Sequence, residues 1–149
     1  MKSLQSLSTG ATILSLPADL SKPSEVERFV KELTAATDGK VDILIANAGA
    51  TWGEAFDTHP DAAFDKVMNL NVRSVFNLIR LCTPLLEKAA RESGDKARVV
   101  TVGSVAGLHI GVIGEHGTYG YAASKAAVLV CALAYMGFVL CREGGSSSG

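Results

Sequence analysis

Apolar residues along the chain fall into short continuous runs separated by longer stretches where they recur every three or four positions. Ala11 to Leu16, Val41 to Ala46 and Ala97 to Val102 are the short runs and predict three strands. Val41 to Ala46 is apolar except for Asp42, the pattern of a strand covered on both faces. Ser21-Lys22-Pro23-Ser24-Glu25 predicts a helix start: a hydroxyl cap, a proline in the first turn and acids near the positive end of the helix dipole. Val26, Phe29, Val30 and Leu33 follow at helical spacing, and Gly39 ends that segment. Pro60 to Ser93 reads as helix with a break near Asn69-Leu70-Asn71, its second piece carrying Val72, Phe76, Ile79, Leu85 and Leu86. Gly103 to Gly120 is a glycine-rich loop, and Tyr119 to about Cys141 is a last helix.

Strands alternating with helices of this length predict an α/β fold with a parallel sheet covered by helices. Ligands of such sheets sit at the carboxyl ends of the strands. The chemistry is therefore expected at Ala18-Asp19, Asn47-Ala48-Gly49 and Gly103-Ser104.

Composition narrows the class. The chain has 149 residues, enough for one domain, with 48% apolar and 19% charged residues. Fourteen basic and 15 acidic side chains leave a net charge of -1, which argues against nucleic acid or a polybasic membrane contact. Cys82, Cys131 and Cys141 are odd in number and have no metal-ligand spacing, so no metal site is expected and the thiols read as reduced, in a cytoplasmic setting. Met1 to Ser6 has no apolar signal core. The segment 144–149 is Gly and Ser only and is expected to be a disordered tail beyond a domain of residues 1–143.

Tyr121 and Lys125, in Tyr121-Ala122-Ala123-Ser124-Lys125, are four apart and share a helix face. An ammonium beside a phenol favours the phenolate, which suits that phenol to exchange protons near neutral pH. Ser104, on the preceding loop, is placed to bond a substrate oxygen. His59 reads as a helix-start loop residue. His109 and His116 lie in the loop that would border a substrate mouth, without zinc spacing, and Trp52 follows Asn-Ala-Gly.

Taken together, Asp19, Asn47-Ala48-Gly49, Asn71, Ser104 and Tyr121-x-x-x-Lys125, in that order over residues 11 to 134, resemble the short-chain dehydrogenase/reductase family. The resemblance implies a partial Rossmann-like, doubly wound parallel sheet with flanking helices. It implies an NAD(P)-dependent oxidoreductase that interconverts a small-molecule carbonyl and an alcohol. Tyr121 would be the acid/base and also border the cofactor, Lys125 its helper and a ligand of the nicotinamide ribose, Ser104 the orienter of the carbonyl. Asn71 would disrupt its helix and hold a relay water. Asp19 would bond the adenine, and Asn47, Ala48 and Gly49 would underlie the adenine ribose. Arg73 is within reach of the cofactor, though a solvated helix charge is the simpler account. The cofactor implied is NADP or NAD, NADP first, although the residue that separates them in the family has no counterpart here. The run 115–120 is similar to the 3-oxoacyl-acyl-carrier-protein reductase-like subgroup.

The pattern is incomplete. The family's Thr-Gly-x-x-x-Gly-x-Gly turn, which binds pyrophosphate through backbone N–H groups, is absent, and Ser8-Thr9-Gly10 does not supply it. The family's later strand and Pro-Gly loop are also absent. The expectation is a member truncated at both ends, with a first strand lacking a neighbour and a bare-edged pair of strands. Such a chain would fold poorly alone and bind cofactor weakly. The alternative function is therefore a catalytically inactive remnant, or an assembly partner of full-length homologues. Ala126 to Cys141 carries no charge and is apolar on all faces. It is short for a membrane span, fits a homo-oligomer interface through the last two helices, and would also result from a frame change near Tyr135.

Overall fold

The computed structural model describes residues 10–109 and 112–144, with side-chain surroundings in the last helix as far as residue 136. Residues 1–9 and the segment after Gly144 lie outside the described residues, as does the side chain of Cys141. The elements run α1 (Pro23–Ala36), β1 (Ile43–Ala46), α2 (Asp61–Met68), a π-helical turn (Asn69–Arg73), α3 (Ser74–Ser93), β2 (Arg98–Thr101), a 3-10 turn (Val105–Gly107) and α4 (Tyr119–Gly144).

β1 and β2 pair in parallel, Ile43 beside Arg98 through Ala46 beside Thr101. One sheet face is built as the alternation of side chains requires. Leu44 and Ala46 point into a core shared with Val26 and Val30 of α1 and with Leu78, Cys82 and Leu86 of α3. Cys82 is fully buried there, which pushes its thiol up to about 11 and makes it an inert packing group. The helical spacing of Val26, Phe29, Val30 and Leu33 delivers all four to this core.

The other face corrects the expectation of a doubly covered strand. Ile43, Ile45 and Val100 are 56%, 62% and 44% exposed. They share one face because Ile43 pairs with Arg98 and Ile45 with Val100. Among the described residues, the helices that pack on the sheet do so at the opposite face. Ala11 to Leu16 is a second correction: it is not a strand, and Leu14 is 54% exposed. An extended segment without a neighbouring strand gains no cross-strand ladder, so its β-propensity has nothing to act on. Among the described residues, each of the two strands consequently has one edge without a neighbour.

An apolar face of this kind drives self-association. Replacing Ile45 by Glu is expected to shift the chain from aggregates toward monomer in sedimentation. Its unfolding free energy should change by less than about 1 kcal/mol, because the substituted side chain is already in water.

The start of α1 also differs. Its N-cap is Lys22, without a side-chain cap, and Pro23 occupies the first turn. Ser21 turns its hydroxyl to Asp19 instead, donating to Oδ1 at 2.6 Å, while the Ser21 amide donates to the same oxygen at 3.1 Å.

The segment Asp61 to Ser93 is helical throughout, but with one wide turn where a break was expected. The Ser74 amide reaches back to Asn69 O, five residues away. The extra residue in this turn rotates the helix beyond it and sends Asn71 into the interior, 1% exposed.

Candidate active site

The carboxyl ends of β1 and β2 open into a cleft of about 650 Å³. Its walls include Asn47, Gly49, Ala50, Val102, Tyr121 and Lys125. The sequence-derived positions Asn47, Gly49, Tyr121 and Lys125 are therefore brought together by the fold.

Lys125 is anchored first. It is 7% exposed, and its ammonium donates to the carbonyl of Val102, just past β2, at 2.7 Å. An ammonium has three donors. No other hydrogen bond of Lys125 is found among the described residues, so its remaining donors are available to a guest in the cleft it lines. Its Nζ stands 5.6 Å from the centre of the Tyr121 ring.

Ser104 occupies the cap of the 3-10 turn, where its Oγ accepts from the Ala106 amide at 3.2 Å. That bond leaves the hydroxyl hydrogen to donate elsewhere. Ser104 is half-buried; its neighbours Val105 and Ala106 line the cleft. The turn is pressed onto α4 at Lys125. A Cβ on Gly107 would stand 2.7 Å from the Ala126 nitrogen and the Lys125 carbonyl carbon, so only glycine permits this approach.

Asn71 joins the opposite wall. Its Oδ1 accepts from the Ala50 amide at 2.8 Å. Its Nδ2 donates to Ala50 O at 2.9 Å and to Ser124 Oγ at 2.8 Å. Both amide hydrogens of the side chain are thus used in fixing the loop after β1, and the carboxamide is a clamp in this arrangement. Gly49 passes directly over it; a Cβ there would approach Asn71 Oδ1 to 3.2 Å.

An aromatic cluster forms at the start of α4. Phe56 and Tyr119 meet edge to face at 5.3 Å, and His59 packs edgewise on Phe64 and Tyr119. The Glu54 amide donates to Gly117 O at 3.2 Å, tying the loop after β1 to the loop before α4. His109 lines the cleft, whereas His116 does not and meets Gly53 through its backbone. Trp52 is exposed beside Thr51 of the wall.

Two sequence-derived residues lie elsewhere. Asp19 is not part of the wall around Tyr121 and Lys125. Its carboxylate is held below the usual range by the Ser21 hydroxyl first and then by Lys22, whose Nζ is 3.2 Å away. Arg73 is exposed and borders a separate cavity of about 620 Å³ with Lys66, Asn69, Phe76 and Cys131. Ala48 is exposed on the loop between Asn47 and Gly49. Three residues that position the site carried no assigned role in the sequence: Ala50, Gly107 and Ser124. Ser124 stands inside the Tyr121–Lys125 motif and Gly107 in the glycine-rich loop, and only their close contacts give them a function.

The first half of α4 packs on α2, the π-turn and the 3-10 turn. Tyr119–Met136 is long and apolar enough to cross a membrane by length and composition, though only 22% buried within the molecule. Buried Ser124 and Lys125, both hydrogen-bonded to protein groups, mark its first turns as part of this site.

The residues of the cleft suit a nicotinamide dinucleotide in kind. The site offers buried ammonium donors, a backbone loop kept close by Gly49 and an apolar wall from Val102 and Val105.

Comparison with known proteins bears on the same region. A family model described as short chain dehydrogenase matches residues 1–135. The rhamnolipids biosynthesis 3-oxoacyl-[acyl-carrier-protein] reductase of Pseudomonas aeruginosa is 42% identical over 113 residues, 76% of this chain and 42% of that protein. Nodulation protein G of Rhizobium sp. (strain N33) is 34% identical over 121 residues, 80% of this chain and 45% of that protein. Among solved structures, the Pseudomonas aeruginosa RhlG/NADP active-site complex matches with TM-score 0.67 at 42% identity, over 76% of this chain and 42% of that one. The NADH-dependent reductase A1-R' responsible for alginate metabolism matches with TM-score 0.70 at 37% identity, over 76% and 45%. The chain thus spans less than half the length of these relatives.

Proposed function

Because the chain belongs to the short-chain dehydrogenase family, with a partial Rossmann-like α/β fold, we propose that it carries the proton-transferring half of an NAD(P)-dependent oxidoreductase that interconverts a small carbonyl and an alcohol. The observation that carries this reading is Lys125: a buried ammonium, pinned to the end of β2 and 5.6 Å from the ring of a phenol in an open cleft.

When bound, the dinucleotide supplies the hydride. The chain's own residues then have separate tasks. Tyr121 Oη gives its proton to the oxygen of the carbonyl as negative charge develops there. Lys125 offsets the charge left on the phenol oxygen, in a site where burial strengthens the interaction. The spare donors of Lys125 suit the hydroxyls of a ribose. Ser104 donates its hydroxyl hydrogen to the same substrate oxygen. Asn71 holds the Ala50 wall. Asn47, Ala48 and Gly49 form the open loop against which the nucleotide lies. NADP and NAD both remain in the proposal, since the two matched reductase structures are described with NADP in one and as NADH-dependent in the other. Free thiols at Cys82 and Cys131 suit the cytoplasm, where reduced dinucleotide is made and used.

A second reading has its own observation. The bare face of Ile43, Ile45 and Val100 and the exposed Val130, Leu133 and Met136 of α4 favour a chain that works as an assembly partner, covered by homologous subunits or by its own copies. Turnover separates the two. Consumption of NADPH or NADH with a small ketone by the unsubstituted chain, lost in Tyr121→Phe, supports the enzyme. Absence of turnover in both favours the assembly partner.

A further inference from the structure

Ser124 is completely buried, at 0% exposure, between the acid/base and its lysine. A buried serine inside a helix usually satisfies itself on the carbonyl one turn back. Ser124 does so, donating to Tyr121 O at 2.7 Å. It also accepts from Asn71 Nδ2 at 2.8 Å, across 53 residues of chain. Asn71 continues to both backbone groups of Ala50.

These bonds form one path. It starts at the loop after β1, crosses the π-turn and ends on the backbone of Tyr121. Each of the three elements supplies something to the cleft: Ala50 a wall, the π-turn the clamp, α4 the phenol and ammonium. Asn71 and Ser124 are 1% and 0% exposed, so water cannot replace a lost partner, and the path has few alternative arrangements.

We propose that Ser124 is a positioning residue for the reaction. Its hydroxyl fixes the separation between the Ala50 wall and the Tyr121–Lys125 pair, although it touches none of the reacting atoms. The proposal rests on the oxidoreductase reading for its catalytic consequence and on the hydrogen-bond path alone for its structural one.

The test compares Ser124→Ala, which removes both bonds, with Ser124→Thr, which keeps the hydroxyl in a geometry helices accept. In Ser124→Ala, hydrogen exchange at the Ala50 amide should accelerate about tenfold beyond any change in global unfolding. The kcat for the ketone should fall about tenfold with KM unchanged, since a misplaced acid/base costs transition-state stabilisation and not binding. Ser124→Thr should return both to within about twofold of the unsubstituted chain. Unmoved Ala50 exchange in Ser124→Ala overturns the proposal, as does a loss of kcat that follows global stability alone. If the unsubstituted chain shows no turnover, the oxidoreductase reading fails. Ala50 exchange then decides the positioning role. Its acceleration in Ser124→Ala beyond any change in global unfolding, restored in Ser124→Thr, supports it, and unmoved exchange overturns it.

Discussion

Replacing Tyr121 by Phe lowers ketone turnover by about a hundredfold to ten-thousandfold and leaves dinucleotide binding in place. The substitution removes one oxygen and keeps the ring. Tyr121 is half-buried on the cleft wall, so Phe retains its packing, and the Lys125 ammonium keeps its bond to Val102 O. What disappears is the phenolic proton of the cleft wall, the only one there among the described residues. A loss of this size with unchanged fluorescence-detected binding assigns the phenol to the chemical step. Equal loss of binding would make Tyr121 a contact residue instead. Steady-state kinetics beside an equilibrium titration distinguish the outcomes.

Replacing Asn71 by Ala destabilises the fold by about 3 kcal/mol, measured by denaturant unfolding. The side chain is almost wholly buried and makes three hydrogen bonds, so its removal strands the Ala50 N–H and the Ala50 carbonyl and leaves the Ser124 oxygen with only the bond it donates to Tyr121 O. Each stranded group that water cannot reach costs about 1–3 kcal/mol. Half-buried Ala50 recovers part of its loss from solvent, which keeps the total near the low end of the summed range. A cost below about 1 kcal/mol would mean that the clamp contributes little and that the π-turn holds the loop unaided.

The sequence is legible where local physics decides. The face of α1 through Val26 and Val30, the paired core strands and the approach of Tyr121 to Lys125 follow from periodicity and one-turn spacing. Ala11 to Leu16 is not legible in that way. Its apolar run has strand propensity, but a ladder needs a neighbour, which local propensity does not provide. Ile43 and Ile45 misled for the same reason. An apolar run reports what a strand can bury, while coverage depends on which helices stand opposite.

The site divides along similar lines. Lys125 and Tyr121 announce themselves by residue type. The hydroxyl of Ser21 was legible as a cap by position, yet the carboxylate of Asp19 takes it, because a charged acceptor two residues away outcompetes the backbone it would otherwise cap. Gly107 needs its role read from a contact with the α4 backbone that no spacing rule contains. Asn71 sits inside a motif, but its work depends on a wide helical turn that aims it inward. Arg73, two residues on in the same turn, points to the other cavity. The turn thus separates two neighbouring polar side chains into different surroundings.

Trp52 is the single tryptophan of the chain, next to Thr51 on the cleft wall. That makes it an internal reporter for the central claim that the Tyr121–Lys125 cleft holds a nicotinamide dinucleotide. Titrating the folded chain with NADPH, and separately with NADH, should quench Trp52 emission and sensitise emission from the reduced nicotinamide, saturably, with the effect lost in Lys125→Ala. A folded chain in which Trp52 does not respond to either dinucleotide, or in which Lys125→Ala responds as strongly as the unsubstituted chain, would contradict the assignment.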